Sequence, residues 1–232
     1  MSGDAITIKG PDGNFMGYLA RPSAGQGPGI VVIQEIFGVN KVIRDIADGL
    51  AARGFFALAP DLFWRLQPGV QLTDKTEAEW KQARGLMQRF DADKGVQDIQ
   101  ASIDALRAMD GINGKVGAVG YCLGGFLAYL TAARTDADAS VGYYGIHIQE
   151  KLDEASRIRK PLMLHMAEGD DFVPPPAQAK IQAGLRTNPQ VSIHRYPSVN
   201  HAFARPGGKH YDHACADLAN TRTATFFRQH LN

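Results

Sequence analysis

Cysteine is scarce in this 232-residue chain: Cys122 and Cys215 are the only two. Two cysteines cannot build a disulfide framework, nor can they supply a zinc site by themselves. An excess of charge is also missing. The 25 Lys and Arg residues against 24 Asp and Glu leave a formal net charge of +1, which gives no ground for a nucleic-acid partner or an acidic interaction tail. No apolar run approaches the ~20 residues a bilayer span needs, so no membrane partner is expected. Met1–Ala5 lacks the basic stretch and apolar run of a secretory signal, and the cytoplasm, where thiols stay reduced, is the expected compartment. Internal repeats, low-complexity segments and Pro/Gly/Ser-rich linkers are absent. No G-x-G-x-x-G follows a strand and no Walker A sequence occurs, so nothing points to a nucleotide, and no cofactor or metal is implied.

What remains is an ordinary globular composition, 44% hydrophobic and 21% charged, in which folding can bury roughly 70% of the surface of the open chain. Short apolar runs alternate with helical patterns. Gly29–Ile33 is a continuous β-branched run, as in a strand buried on both faces. Strands are also predicted at 55–59, 116–120, 141–144, 162–166 and 191–196. Helices are predicted at 41–53, within 75–90 and 93–109, at 126–134, at 174–187 and from about 210. Ala5–Lys9 and Met16–Ala20 flank Pro11-Asp12-Gly13, a hairpin signal. Repeated β-then-α units predict the α/β class: one domain over residues 1–232, with a mostly parallel central sheet and helices on both faces. Ligands of such sheets gather at the carboxyl ends of the strands.

At one such end stands Gly120-Tyr121-Cys122-Leu123-Gly124, the G-x-S-x-G nucleophile elbow with cysteine in place of serine. The following helix N-terminus turns amides and partial positive charge toward the sulfur, and the Leu123 N–H can face a developing oxyanion. A buried structural cysteine is the bland alternative, and strand and helix on either side weigh against it. Cys215, within the last helix and without flanking glycines, takes that bland role.

An α/β-hydrolase needs nucleophile, acid and histidine in that chain order. Asp170 and Asp171 compete for the acid after the 162–166 strand, and His201 lies in the loop after the last strand. His165 and His194 fall inside strands and are expected to be core histidines. His210 and His213, spaced i, i+3, are expected on the surface. Glu35 ends the Ile30–Gln34 run. The Ile36 N–H beside it can act as a second oxyanion donor, whereas a carboxylate near the thiol would oppose thiolate formation.

Together these residues resemble the dienelactone hydrolase (carboxymethylenebutenolidase) family. The matching pieces are Gln34-Glu35-Ile-Phe-Gly38, Ala59-Pro60-Asp61-Leu62, Gly120-Tyr-Cys-Leu-Gly-Gly125, Asp170 through Val173-Pro174, and His201-Ala-Phe-Ala-Arg205. The resemblance implies a triad of Cys122, Asp170 and His201, with the spacing to Val173-Pro174 selecting Asp170 over Asp171. It also implies that Glu35 contacts the resting thiol and takes its proton when substrate arrives, and that Arg205 binds a substrate carboxylate. One position departs from the family, whose best-known members carry a second carboxylate-binding arginine in the 75–90 helix. An ungapped count from Phe90-Asp91 puts Trp80 there, with Arg84 one turn later.

The expectation is therefore a cysteine-dependent hydrolase that opens a carboxylate-bearing ester or lactone through a thioester. The alternatives are a general carboxylesterase or thioesterase of the same fold, and a protein that binds a small acid without turning it over. Oligomeric state is left open, a monomer included.

Overall fold

The computed structural model describes residues 3–232. All eight strands join one sheet in the spatial order β1-β2-β4-β3-β5-β6-β7-β8. The hairpin of β1 (Asp4–Gly10) and β2 (Gly13–Ala20) forms an antiparallel edge that continues onto β4 (Phe56–Pro60). From β4 onward the strands run parallel: β3 (Gly27–Ile33), β5 (Ile112–Tyr121), β6 (Ala139–Tyr143), β7 (Leu162–Ala167) and β8 (Val191–Tyr196). The apolar runs of β3 and β6 are buried along almost their whole length, because helices cover both faces of a parallel sheet.

The helices are α1 (Lys41–Ala51), α2 (Glu77–Arg89), α3 (Ala92–Arg107), α4 (Leu123–Arg134), α5 (Pro175–Leu185) and α6 (His213–Leu231). Asn40 caps α1 by accepting from the Ile43 N–H at 3.2 Å, and Ile43, Ala47 and Leu50 form its buried stripe. In contrast, α4 is buried almost all round, as befits the helix that follows the elbow in the middle of the molecule.

Two expectations shift. The last helix starts at His213 because Asp212 caps it through the Cys215 N–H at 2.8 Å, so His210 lies in a turn and shares no helical face with His213. The 141–144 strand ends at Tyr143, and Tyr144 turns into a left-handed conformation at φ 39°.

The topology positions the site. The chain leaves β3 on one side for β4 and later returns to its other side as β5. This reversal opens a crevice at the carboxyl ends of β3 and β5. Register places Ile33 beside Gly120 and Tyr121 beside Tyr143. The residues just beyond these strands, Glu35, Cys122 and Tyr144, thus emerge side by side.

Candidate active site

Cys122 sits between β5 and α4 at φ 57°, ψ −113°, a conformation that non-glycine residues adopt only at a cost of order 1–3 kcal/mol. The glycines around it make the turn sterically feasible. A Cβ on Gly120 would collide with the Gly124 carbonyl oxygen, and one on Gly124 would lie 2.6 Å from the Gln34 carbonyl oxygen. The elbow is thereby pressed against the strand end that carries Glu35 and Ile36. Leu123 is the first residue of α4, so its N–H has no acceptor within the helix. Cys122 is 7% exposed, reachable yet largely sheltered from water.

Asp170 and His201 reach the elbow from the loops after β7 and β8. The His201 Nδ1 lies 3.0 and 2.9 Å from the two Asp170 carboxylate oxygens. Asp170 is itself fixed by the Phe172 and Val173 N–H groups, which donate to it at 2.8 and 3.2 Å. Asp171 instead is exposed and accepts from the Asn200 side-chain amide at 2.7 Å. The geometry therefore brings Asp170, not Asp171, to the histidine. The His201 Nε2 is buried and makes no hydrogen bond of ordinary geometry within the protein. Burial alone would pull the imidazole pKa down. The Cys122 charge and the Asp170 hydrogen bond outweigh burial and raise it to about 10.

Glu35 is 2% exposed, and both of its oxygens accept from Arg205, from Nε at 2.8 Å and Nη2 at 3.1 Å. No hydrogen bond joins Glu35 to Cys122 among the described residues. Both Glu35 oxygens are instead engaged in a bidentate ion pair, the geometry in which a buried carboxylate is best compensated. The remaining Arg205 terminal nitrogen, Nη1, donates to Asp74 at 2.7 Å. Arg205 thus stands in the pocket but is held by two protein carboxylates, and its guanidinium lies 5.0 Å from the Phe37 ring. Removing one partner of a buried pair costs about 3–5 kcal/mol, because the other charge is left uncompensated. Arg205→Met is accordingly expected to lower the urea unfolding free energy by about that much, and Glu35→Gln added to it to recover a large part. Equal unfolding midpoints for Arg205→Met and wild type would show the pair to be dispensable.

A cavity of about 340 Å³ opens directly on His201. Trp80 lines it together with Asp74, Phe172 and Arg205. Arg84 does not line it. Residues four apart stack along one helix face, so Arg84 stands a turn farther from the pocket, exposed, with its guanidinium 5.8 Å from the Trp80 ring. Lys209 and His210, both exposed, stand at the rim, and His210 is thus closer to the site than its sequence position suggested. A larger cleft of about 670 Å³ between 152–159 and 184–190 holds none of these groups.

Asp74, Phe172 and Tyr144, all near the site, escaped the sequence. Asp74 reaches Arg205 across 131 positions, and no local pattern announces such a pair. Phe172 is 59% exposed with its ring 4.8 Å from His201. Tyr144 packs its ring edge 5.1 Å from His201, and its hydroxyl is buried without a partner. For Tyr144 a signal existed, since it follows the end of a strand in the parallel sheet. His165 is buried and bonded at both ring nitrogens, to Tyr196 and Thr223. No group of three or more His, Cys, Asp or Glu side chains suited to a metal ion occurs among the described residues.

A mostly parallel sheet with a strand–turn–helix elbow at its switch point, and an Asp–His pair from the loops after β7 and β8, is the arrangement of an α/β-hydrolase. The sequence pattern of the dienelactone hydrolase family matches residues 15–231. The chain is 49% identical over 224 residues to an Azospirillum brasilense protein provisionally named carboxymethylenebutenolidase, covering 96% of both. It is 40% identical to the carboxymethylenebutenolidase of Pseudomonas putida, over 96% of this chain and 95% of that one. A crystal structure from Klebsiella pneumoniae, provisionally named a dienelactone hydrolase, superposes with a TM-score of 0.87 at 26% identity, over 98% of each chain. The chain belongs to the dienelactone hydrolase family and is a hydrolase of esters or lactones. No helix among the described residues is long and apolar enough to cross a membrane.

Proposed function

We propose that this hydrolase opens its ester or lactone through a thioester on Cys122. The observation that carries this is the strained Cys122 at the head of α4, with the Asp170–His201 pair presented to the same crevice. The Cys122 thiolate, whose proton already rests on His201, attacks the carbonyl carbon, and the oxyanion that forms accepts from the Leu123 and Ile36 N–H groups. The carbon–oxygen bond to the leaving group breaks, and His201 returns the proton to the departing alcohol or enol. Water, deprotonated by His201, then splits the thioester and releases the acid. Asp170 holds the ring in the tautomer with Nδ1 protonated and stabilises its charged form. Glu35, held by Arg205, keeps the charge beneath the elbow compensated. A nucleophile that must stay reduced favours a cytoplasmic site of action.

A burst of alcohol release equal to the enzyme concentration is expected with an activated ester, together with a mass increase equal to the acyl group on the peptide carrying Cys122. An adduct on any other residue, or turnover without a trappable adduct at acid quench, would defeat the mechanism.

A further inference from the structure

The guanidinium of Arg205 offers two edges. Glu35 occupies the Nε/Nη2 edge, and Asp74 takes Nη1 at 2.7 Å on the edge nearer the cavity. Asp74 and Arg205 line the same cavity as His201. A carboxylate is therefore already present where an acidic substrate would have to meet Arg205.

This seat is built rather than casual. Trp80 donates its indole N–H to the Asp74 carbonyl at 3.0 Å. The Thr73 N–H donates to Glu79 at 2.8 Å, and Glu79 and Thr76 close a capping box at the start of α2. Leu72, just upstream, is tied to the loop after β3 through the Phe37 and Asn40 contacts. The side chain of Asp74 is 17% exposed, so its pair with Arg205 is partly shielded from water. Two carboxylates on one guanidinium leave a net negative charge at the cavity wall. An incoming carboxylate would have to displace Asp74 or face that charge, while Lys209 and His210 at the exposed rim are screened by solvent. The rest of the wall offers Trp80 and the largely exposed Phe172 ring.

We propose that Asp74 fills the carboxylate seat on Arg205, so that this hydrolase selects uncharged esters or lactones with an apolar acyl part and discriminates against acidic ones. This inference rests on the hydrolase function proposed above.

The test compares p-nitrophenyl butyrate with mono-p-nitrophenyl succinate, which exchange a terminal methyl for a carboxylate. Wild type is expected to favour the butyrate ester at least tenfold in kcat/KM. In Asp74→Asn, which keeps the backbone contact to Trp80, the succinate-to-butyrate ratio is expected to rise at least tenfold. Asp74→Ser serves as a second variant, with thermal melts confirming that both fold. The change should persist in 0.5 M NaCl, because a contact pair is screened far less than a diffuse surface charge. Wild type that prefers the succinate ester, or a ratio unmoved in both folded variants, would overturn the proposal. Wild type inactive on both esters would instead strike the hydrolase mechanism itself.

Discussion

Cys122→Ala is expected to remove turnover almost completely while leaving the fold intact. Loss of the nucleophile in a serine-based triad enzyme costs on the order of 10⁶ in kcat, and cooperating groups left behind recover little of it. Structure should survive, because alanine has the same Cβ at φ 57° that cysteine already carries, so no new backbone strain is introduced. The sulfur itself touches a largely enclosed crevice and contributes little volume. Cys215→Ala is the control: that half-buried thiol lies on α6 and outside the lining of the cavity at His201. Steady-state rates and circular dichroism decide the matter. Wild-type activity in Cys122→Ala, or its loss in folded Cys215→Ala alone, would remove Cys122 from the mechanism.

The second large effect is expected at Asp170. An asparagine there cannot fix the tautomer in which Nδ1 of His201 carries the proton, and an equivalent change in a serine protease costs roughly 10⁴ in kcat. Asp171→Asn should cost far less, since that carboxylate bonds the Asn200 amide rather than the imidazole. Similar losses in the two variants would leave the acid unassigned. The same substitution has a signature in stability. His201 has its folded pKa raised above 6.5, to about 10, by the Cys122 charge and Asp170 acting against burial. A raised histidine pKa contributes stability that is complete below pH 6.5 and disappears as pH climbs through about 10. Melting temperatures of wild type should therefore decline across that window, and Asp170→Asn should flatten the decline.

Local signals made the frame readable. The β-branched run of β3 needs burial on both faces, the hairpin has its Pro11-Asp12 turn, and Gly120 and Gly124 mark a turn where side chains would collide. The proposed triad could be picked out because each of Cys122, Asp170 and His201 follows a strand end, in the chain order that this fold requires. Element edges were less legible. β5 begins at Ile112, ahead of the apolar run, where Gly114 at φ 86° lets the strand continue through a polar stretch. The start of α6 had its signal in Asp212, whose cap outweighs the periodicity that seemed to begin at His210. The charge network was the part that sequence could not supply. Glu35, Asp74 and Arg205 carry no mutual spacing rule, and a buried glutamate looks the same in sequence whether it faces a thiol or a guanidinium.

The pair between Glu35 and Arg205 also has a temporal side. Its members are 170 positions apart, and at ribosomal speeds of about 5–20 residues per second the carboxylate waits roughly 10–30 s for its counterion to be synthesised. During that interval β3, the elbow and Cys122 can be made, but the crevice cannot close around an uncompensated anion. Emergence of the segment carrying His201 and Arg205 supplies the base and the counterion together. On the proposed mechanism Cys122 is thus made well before the histidine that would take its proton, so that activation of the thiol awaits the segment that also brings Arg205.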